Sequence, residues 1–293
     1  MGNDRMSVKS LFLHLRLNWH IMLMPIFLWG FFLSGGAIGY KFWLGLFVFH
    51  VLFYGGSTSF NSYYDQDEGP IGGLWNPPRP TRALLYFSLA IQAVGLILVA
   101  AFINTPLLVL SLIMFALSTA YSHPAVRLKA HPWASLLTVS VGQGVGGTLA
   151  GWLCGQDDWT TLWSVRAGLG VLVATLITTG FYPLTQIYQR AEDARRGDMT
   201  FAVRWGARCF PFAIGCLTAA AGAAGLLIGR YYSLWEGVAV GLALLGLAGL
   251  VYDWQRHFEE GQVRQNYVRM MRVGYVMGIG LLAYVTWHLV RAG

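Results

Sequence analysis

Two short stretches hold most of the groups in this chain that could do chemistry. The first, NSYYDQDEGP at residues 61–70, sets Asn61 and Asp65 four residues apart, with Asp67 and Glu68 just beyond. If the helix entering this stretch continues, Asn61, Asp65 and Glu68 fall at i, i+4 and i+7 on one face, and Gly69 and Pro70 stop it. The second, QIYQRAEDARRGD at residues 186–198, places Gln189, Glu192, Asp193 and Arg196 on one face before Gly197. Carboxylates crowded together raise one another's pKa and resist joint ionisation unless a cation joins them. Mg²⁺ suits two such oxygen-rich faces, because it takes a few carboxylates and completes its octahedron with water and phosphate oxygens. Arg79, Arg82, Lys129 and Arg196 could meet the remaining oxygens of a diphosphate.

The elements that must position these groups are membrane helices. Of 293 residues, 56% are hydrophobic and only 11% are charged, outside the range of soluble globular domains. Apolar windows long enough to span recur along the whole chain with short polar gaps, so the expectation is an all-α, polytopic membrane protein forming one domain over 1–293. Nine spans are expected, at about 17–36, 41–61, 82–103, 106–122, 134–154, 166–190, 209–229, 233–253 and 272–290. The first is too long, and lacks the small-residue cleavage site, for a secretory signal peptide. Cys154, Cys209 and Cys216 have neither zinc-site spacing nor a disulfide framework pattern.

The basic residues set the orientation. Sixteen Lys and Arg, Arg5 and Arg16 among them, fall at the amino terminus and the even-numbered exits, and four fall on the other side. By the positive-inside rule the amino terminus and the loops bearing both acidic stretches are cytoplasmic, with a bacterial inner membrane as the expected location. Nine carboxylates share that side, while Asp157 and Asp158 face out. The net charge of +7 follows from this topology and needs no nucleic-acid partner. Polar or aromatic groups within apolar helices, namely Asn18, His20, His50, Tyr121, Gln143 and Tyr182, are candidates to line an internal chamber.

These residues resemble those of the UbiA superfamily of intramembrane prenyltransferases. Its first motif, N-D-x-x-D-x-x-x-D, is matched at Asn61 and Asp65, with Ser62 at the first Asp position and Gly69 at the last. Its second, D-x-x-x-D with a basic, Gly-containing tail, is matched at Asp193, Gly197, Thr200 and Gly206, with Gln189 at the first Asp position. YSHPAVRLK, residues 121–129, is similar to the family's Tyr- and Pro-containing segment ending in a phosphate-binding lysine, here Lys129. The tail is similar to the menaquinone-pathway branch. The resemblance implies Mg²⁺ held by Asn61, Asp65 and Asp193, helped by Asp67 or Glu68 and by Glu192. It further implies a prenyl diphosphate donor, a lipophilic and aromatic quinone-precursor acceptor, and catalysis among membrane lipids.

Rival readings are a superfamily member with another donor or acceptor, such as phosphoribosyl diphosphate or a carotenoid end group, a scaffold that binds without turnover, and a small-anion transporter. The transporter reading expects inverted repeats and charges near the bilayer midplane. The sequence instead clusters its charges at helix ends.

Overall fold

In a bilayer core no water is present to satisfy backbone N–H and C=O groups, so apolar runs of this length close their hydrogen bonds internally as helices. The computed structural model describes residues 6–292, and Arg5 lies outside them. The described residues form helices joined by turns, with a single isolated bridge between Ile71 and Leu74.

Among the described residues, seven helices are long and apolar enough to cross a membrane: Tyr40–Asp65, Arg82–Phe102, Thr105–Ser122, Val165–Gln186, Phe201–Tyr231, Leu234–Arg256 and Val263–Arg291. Two of the nine expected spans fall outside this set. The first begins three residues late, because residues 16–19 turn before His20–Ser34. Its 15 residues reach roughly 22 Å at 1.5 Å each, short of the roughly 30 Å hydrocarbon core. The expected span 134–154 is an unbroken helical run assembled from Pro132–Val139, a π-helical turn Ser140–Val145, and Gly146–Gly155. Its glycines, hydroxyls and Gln143 dilute its apolarity.

Those same glycines let two helices touch. His20–Ser34 packs along Gly146–Gly155 and the carboxyl-terminal helix. A Cβ on Gly151 would stand 1.8 Å from the Phe27 carbonyl oxygen, and one on Gly30 would stand 1.9 Å from that of Thr148. Backbone rather than a movable side chain fills both places, so Gly151→Val is expected to cost about 1–3 kcal/mol by overpacking. Thermal unfolding in detergent would show this as a lowered midpoint, and an unchanged midpoint would mean that the two helices can separate freely.

Candidate active site

The helix Tyr40–Asp65 carries a π-helical turn at Val48–Tyr54, the kind of local widening that recurs at functional sites. It delivers Asn61 and Asp65 one turn apart at its end, where Asn61 Nδ2 donates to Asp65 Oδ2 at 2.8 Å and to Ser122 Oγ at 3.1 Å. The helix then stops. Gln66 takes a left-handed conformation, φ 52°, so the face expected to include Glu68 does not form. Asp67 is turned inward onto Arg196 at 2.7 Å with its side chain 6% exposed, whereas Glu68 is exposed.

The second acidic stretch is also broken. Val165–Gln186 ends before Gln189, residues 187–189 form a turn, and a short helix Arg190–Arg195 follows. Asp193 is buried, accepting from Arg196 Nη2 at 3.1 Å and from Thr200 Oγ1 at 3.4 Å. Glu192 points elsewhere and accepts the backbone N–H of Glu68 at 2.9 Å. Its Oε2 lies 2.7 Å from where a Cβ on Gly69 would stand, so it fills the space a residue-69 side chain would need.

These pieces meet at one end of a cavity of about 260 Å³. Asn61, Asp65, Asp67, Lys129, Asp193 and Arg196 line its polar end, with Gln189 and Thr200 beside them. Met22, Ile26, Phe53, Met114, Phe115 and Phe181 supply apolar walls. Lys129 is buried between two aspartates, in an ion pair with Asp65 and 3.5 Å from Asp198. Arg196 spans both acidic stretches, donating to the Asp65 carbonyl at 2.6 Å as well as to Asp67 and Asp193. Burial lifts the Asp193 carboxyl to about 7 against the opposing pull of Arg196 and Lys129. Burial also works against the charge on Asp198, yet the Arg127 fork at 2.8 and 2.9 Å and the Lys129 charge hold its carboxyl below the usual range.

Tyr121 and Gln143 line the cavity, and the Tyr121 hydroxyl meets that of Tyr182 at 2.7 Å, which in turn accepts from Gln186 Nε2 at 2.7 Å. Other expected contributors lie elsewhere. Arg79 and Arg82 are exposed and do not line the cavity, because Pro77, Pro78 and Pro80 carry that loop along the surface. Asn18 is exposed and donates to the Gly73 carbonyl at 2.6 Å, pinning a loop rather than lining a chamber. His20 and His50 are buried behind Tyr54, with ring centroids 6.2 and 5.6 Å from its own, and do not line the cavity.

Sequence reasoning missed Arg16, Gln186 and Tyr188, which line the cavity, and the part Asp198 plays beneath Lys129. The available signal for Arg16 was a charge set between Leu15 and Leu17 at the edge of an apolar run. Arg16, Gln66 and Arg127 are the three non-glycine residues with positive φ among those described, and all three border this site. Backbone strain of this kind clusters at ligand sites.

The model of the UbiA prenyltransferase family matches residues 23–273. No curated protein sequence matches the chain. The fold is similar to that of a UbiA homologue from Archaeoglobus fulgidus bound to DMAPP and Mg²⁺, at 16% identity and TM-score 0.67, covering 93% of this chain and 99% of that one. It is also similar to an apo UbiA homologue from Aeropyrum pernix K1, at 21% identity and TM-score 0.66, covering 91% and 98%. A structure of a digeranylgeranylglyceryl phosphate synthase aligns over 96% of this chain and 98% of its own, at 16% identity and TM-score 0.64. At these identities the likeness is one of fold.

Proposed function

We propose that this chain, which belongs to the UbiA prenyltransferase family, acts over residues 1–293 as one membrane-embedded domain that moves a prenyl group from a prenyl diphosphate to a lipophilic acceptor. The acceptor we propose is an aromatic quinone precursor. The observation that carries the reading is the two-ended cavity, with its acids and bases at one end and an apolar, aromatic wall at the other. An amphipathic donor with a charged head and a hydrocarbon tail matches that division. Charge set at one end of the cavity favours this reading over a permeation route. The excess of Lys and Arg near that end supports a cytoplasmic mouth.

The donor set fits Mg²⁺ as a shared ion. Among the described residues no three His, Cys, Asp or Glu side chains gather into a metal cage. Mg²⁺ needs none, since it binds through one or two carboxylates plus substrate phosphates and waters. Charge balance points the same way: Arg16, Arg127, Lys129 and Arg196 already match Asp65, Asp67, Asp193 and Asp198 at this end. A diphosphate arrives in excess of that balance. Asn61, Asp65, Asp67 and Asp193 would hold the ion, with Glu192 and Glu68 outside its reach in this arrangement. When bound it supplies Lewis-acid stabilisation of the departing diphosphate.

Lys129 and Arg196 would hold the diphosphate oxygens as the allylic C–O bond breaks. Phe53, Phe115 and Phe181 would shelter the resulting cation from water, their ring faces favouring positive charge. An electron-rich acceptor carbon then takes the prenyl group and loses a proton. Incubating the purified protein with Mg²⁺, several prenyl diphosphates and a panel of quinone precursors, then identifying products by mass spectrometry, tests the reading. Absence of both prenylated product and released diphosphate with every donor would overturn it.

The raised Asp193 pKa sets a pH dependence. Below about 7 the carboxyl is protonated and cannot ligate, and above it the carboxylate is free, so metal and proton compete. The half-saturating Mg²⁺ concentration is expected to fall about tenfold from pH 6 to pH 8, read from initial rates across Mg²⁺ titrations. A flat dependence would remove Asp193 from the metal-binding set.

A further inference from the structure

Two π-helical turns border the cavity, and each delivers one polar side chain to its apolar section. Val48–Tyr54 contributes Tyr54, and Ser140–Val145 contributes Gln143. Such turns recur at functional sites. Tyr54 stands seven residues before Asn61, hence on the same helix face and about 10 Å further from the acids at 1.5 Å per residue. Ile26, Phe53 and Met114 make the surrounding wall apolar.

Neither side chain is engaged. Tyr54 is 8% exposed and its hydroxyl has no hydrogen-bond partner among the described residues, and the half-buried Gln143 amide has none either. The hydroxyls of the helical run that carries Gln143 bond back within it: Thr138 Oγ1 donates to the Ala134 carbonyl, Ser140 Oγ to that of Leu136 and Thr148 Oγ1 to that of Gly144, each at 2.7 Å. Gln143 stands apart from that pattern with two donors and an acceptor unspent. Leaving such groups unpaired away from water costs about 1–3 kcal/mol each, and unspent polar groups inside a membrane protein mark where a ligand binds.

Glycine brings the two groups to one place. A Cβ on Gly147 would stand 2.9 Å from Tyr54 Oη and 3.1 Å from Ile26 Cγ2, so the hydroxyl rests on bare backbone one helical turn past Gln143. Gly142, the neighbour of Gln143, also lines the cavity, and a Cβ there would meet nothing within 4 Å.

Resting on the reaction class proposed above, we infer that Tyr54 and Gln143 are the recognition pair for the acceptor, and that they take neutral oxygens on an aromatic ring. The Tyr54 hydroxyl donates to one ring oxygen, and the Gln143 amide donates to or accepts from a second. The charged end of the cavity serves the donor's head, while this uncharged pair selects a hydroxylated ring in the section beyond it. A site that hydrogen-bonds a substrate hydroxyl rejects the analogue lacking it, because its own groups are then left unpaired.

The test is isothermal titration of the full chain in detergent with naphthalenediol and with naphthalene, which share a ring system and differ in the oxygens. The parent is expected to bind the diol more tightly. Tyr54→Phe and Gln143→Leu, each close in shape to the side chain it replaces, are each expected to weaken diol binding about tenfold, the upper range for a neutral hydrogen bond, and to leave naphthalene at parental affinity. Damage to the fold or to the cavity walls would instead weaken both ligands together. Equal weakening of diol and hydrocarbon, parental diol affinity in either variant, or a parent that binds the diol no better than the hydrocarbon would overturn the inference. Product analysis separates it from the functional reading. A parent that shows the diol preference but transfers no prenyl group would fail that reading and leave the pair standing. A parent that prenylates aromatic acceptors, with both variants keeping its KM for them, would fail the inference alone.

Discussion

Asp65→Asn is expected to lower kcat/KM by about a thousandfold, equivalent to about 4 kcal/mol of transition-state stabilisation. Asp65 joins three parts of the site, since its carboxylate accepts from Asn61, pairs with Lys129 and lines the cavity. The amide keeps the shape but loses the charge, and one of its polar ends becomes a donor facing the Lys129 ammonium. Lys129 then has Asp198, 3.5 Å away, as its remaining anion and is drawn down towards it. On the proposed mechanism, a carboxylate that would hold the metal and the position of a cation that would hold the phosphate are thus lost together. Initial rates under saturating Mg²⁺ check this, and a variant within tenfold of the parent would remove Asp65 from the centre of the mechanism.

The next largest effect separates two neighbours. Asp67→Asn is expected to reduce turnover about a hundredfold, or about 2.7 kcal/mol, while Glu68→Gln stays near the parent. This is the reverse of what helical spacing implies for residues 61–68. Asp67 bonds Arg196 at 2.7 Å inside the cavity, so its loss frees a guanidinium that also holds Asp193 and the Asp65 carbonyl. Glu68 contributes its backbone N–H to Glu192 and exposes its side chain. Parallel Mg²⁺ titrations of the two variants decide the matter, and a crippled Glu68→Gln beside a healthy Asp67→Asn would restore the helical-face assignment.

The sequence made the helices and their approximate limits readable, because hydrocarbon leaves little freedom over where an apolar run may sit. It also made Asn61 and Asp65 readable as a pair, since four residues of helix separate them whatever the tertiary contacts. Helical spacing misplaces Glu68 because the chain reverses at Gln66, and glutamine gives no local warning of a left-handed turn. Arg79 and Arg82 were assigned by charge alone, and charge does not say which way a proline-rich loop lies. In sequence Arg16 reads as an orientation signal, since only its bond to Ser62, beside the tie from Thr58 to the His14 carbonyl, shows that it turns inward.

The three left-handed residues bordering the site have an energetic consequence of their own. Holding Arg16, Gln66 and Arg127 at positive φ costs on the order of 1–2 kcal/mol each, and the fold bears that cost with the polar end already assembled in this structure. Preorganisation of this kind shifts the entropic expense of ordering from the moment of binding to the moment of folding. A flexible amphiphile arriving from the bilayer therefore surrenders its own freedom but need not rigidify its receptor as well. Substitutions that relax these turns should make the polypeptide sturdier and its grip on the headgroup looser, a trade between durability and turnover written into three backbone angles.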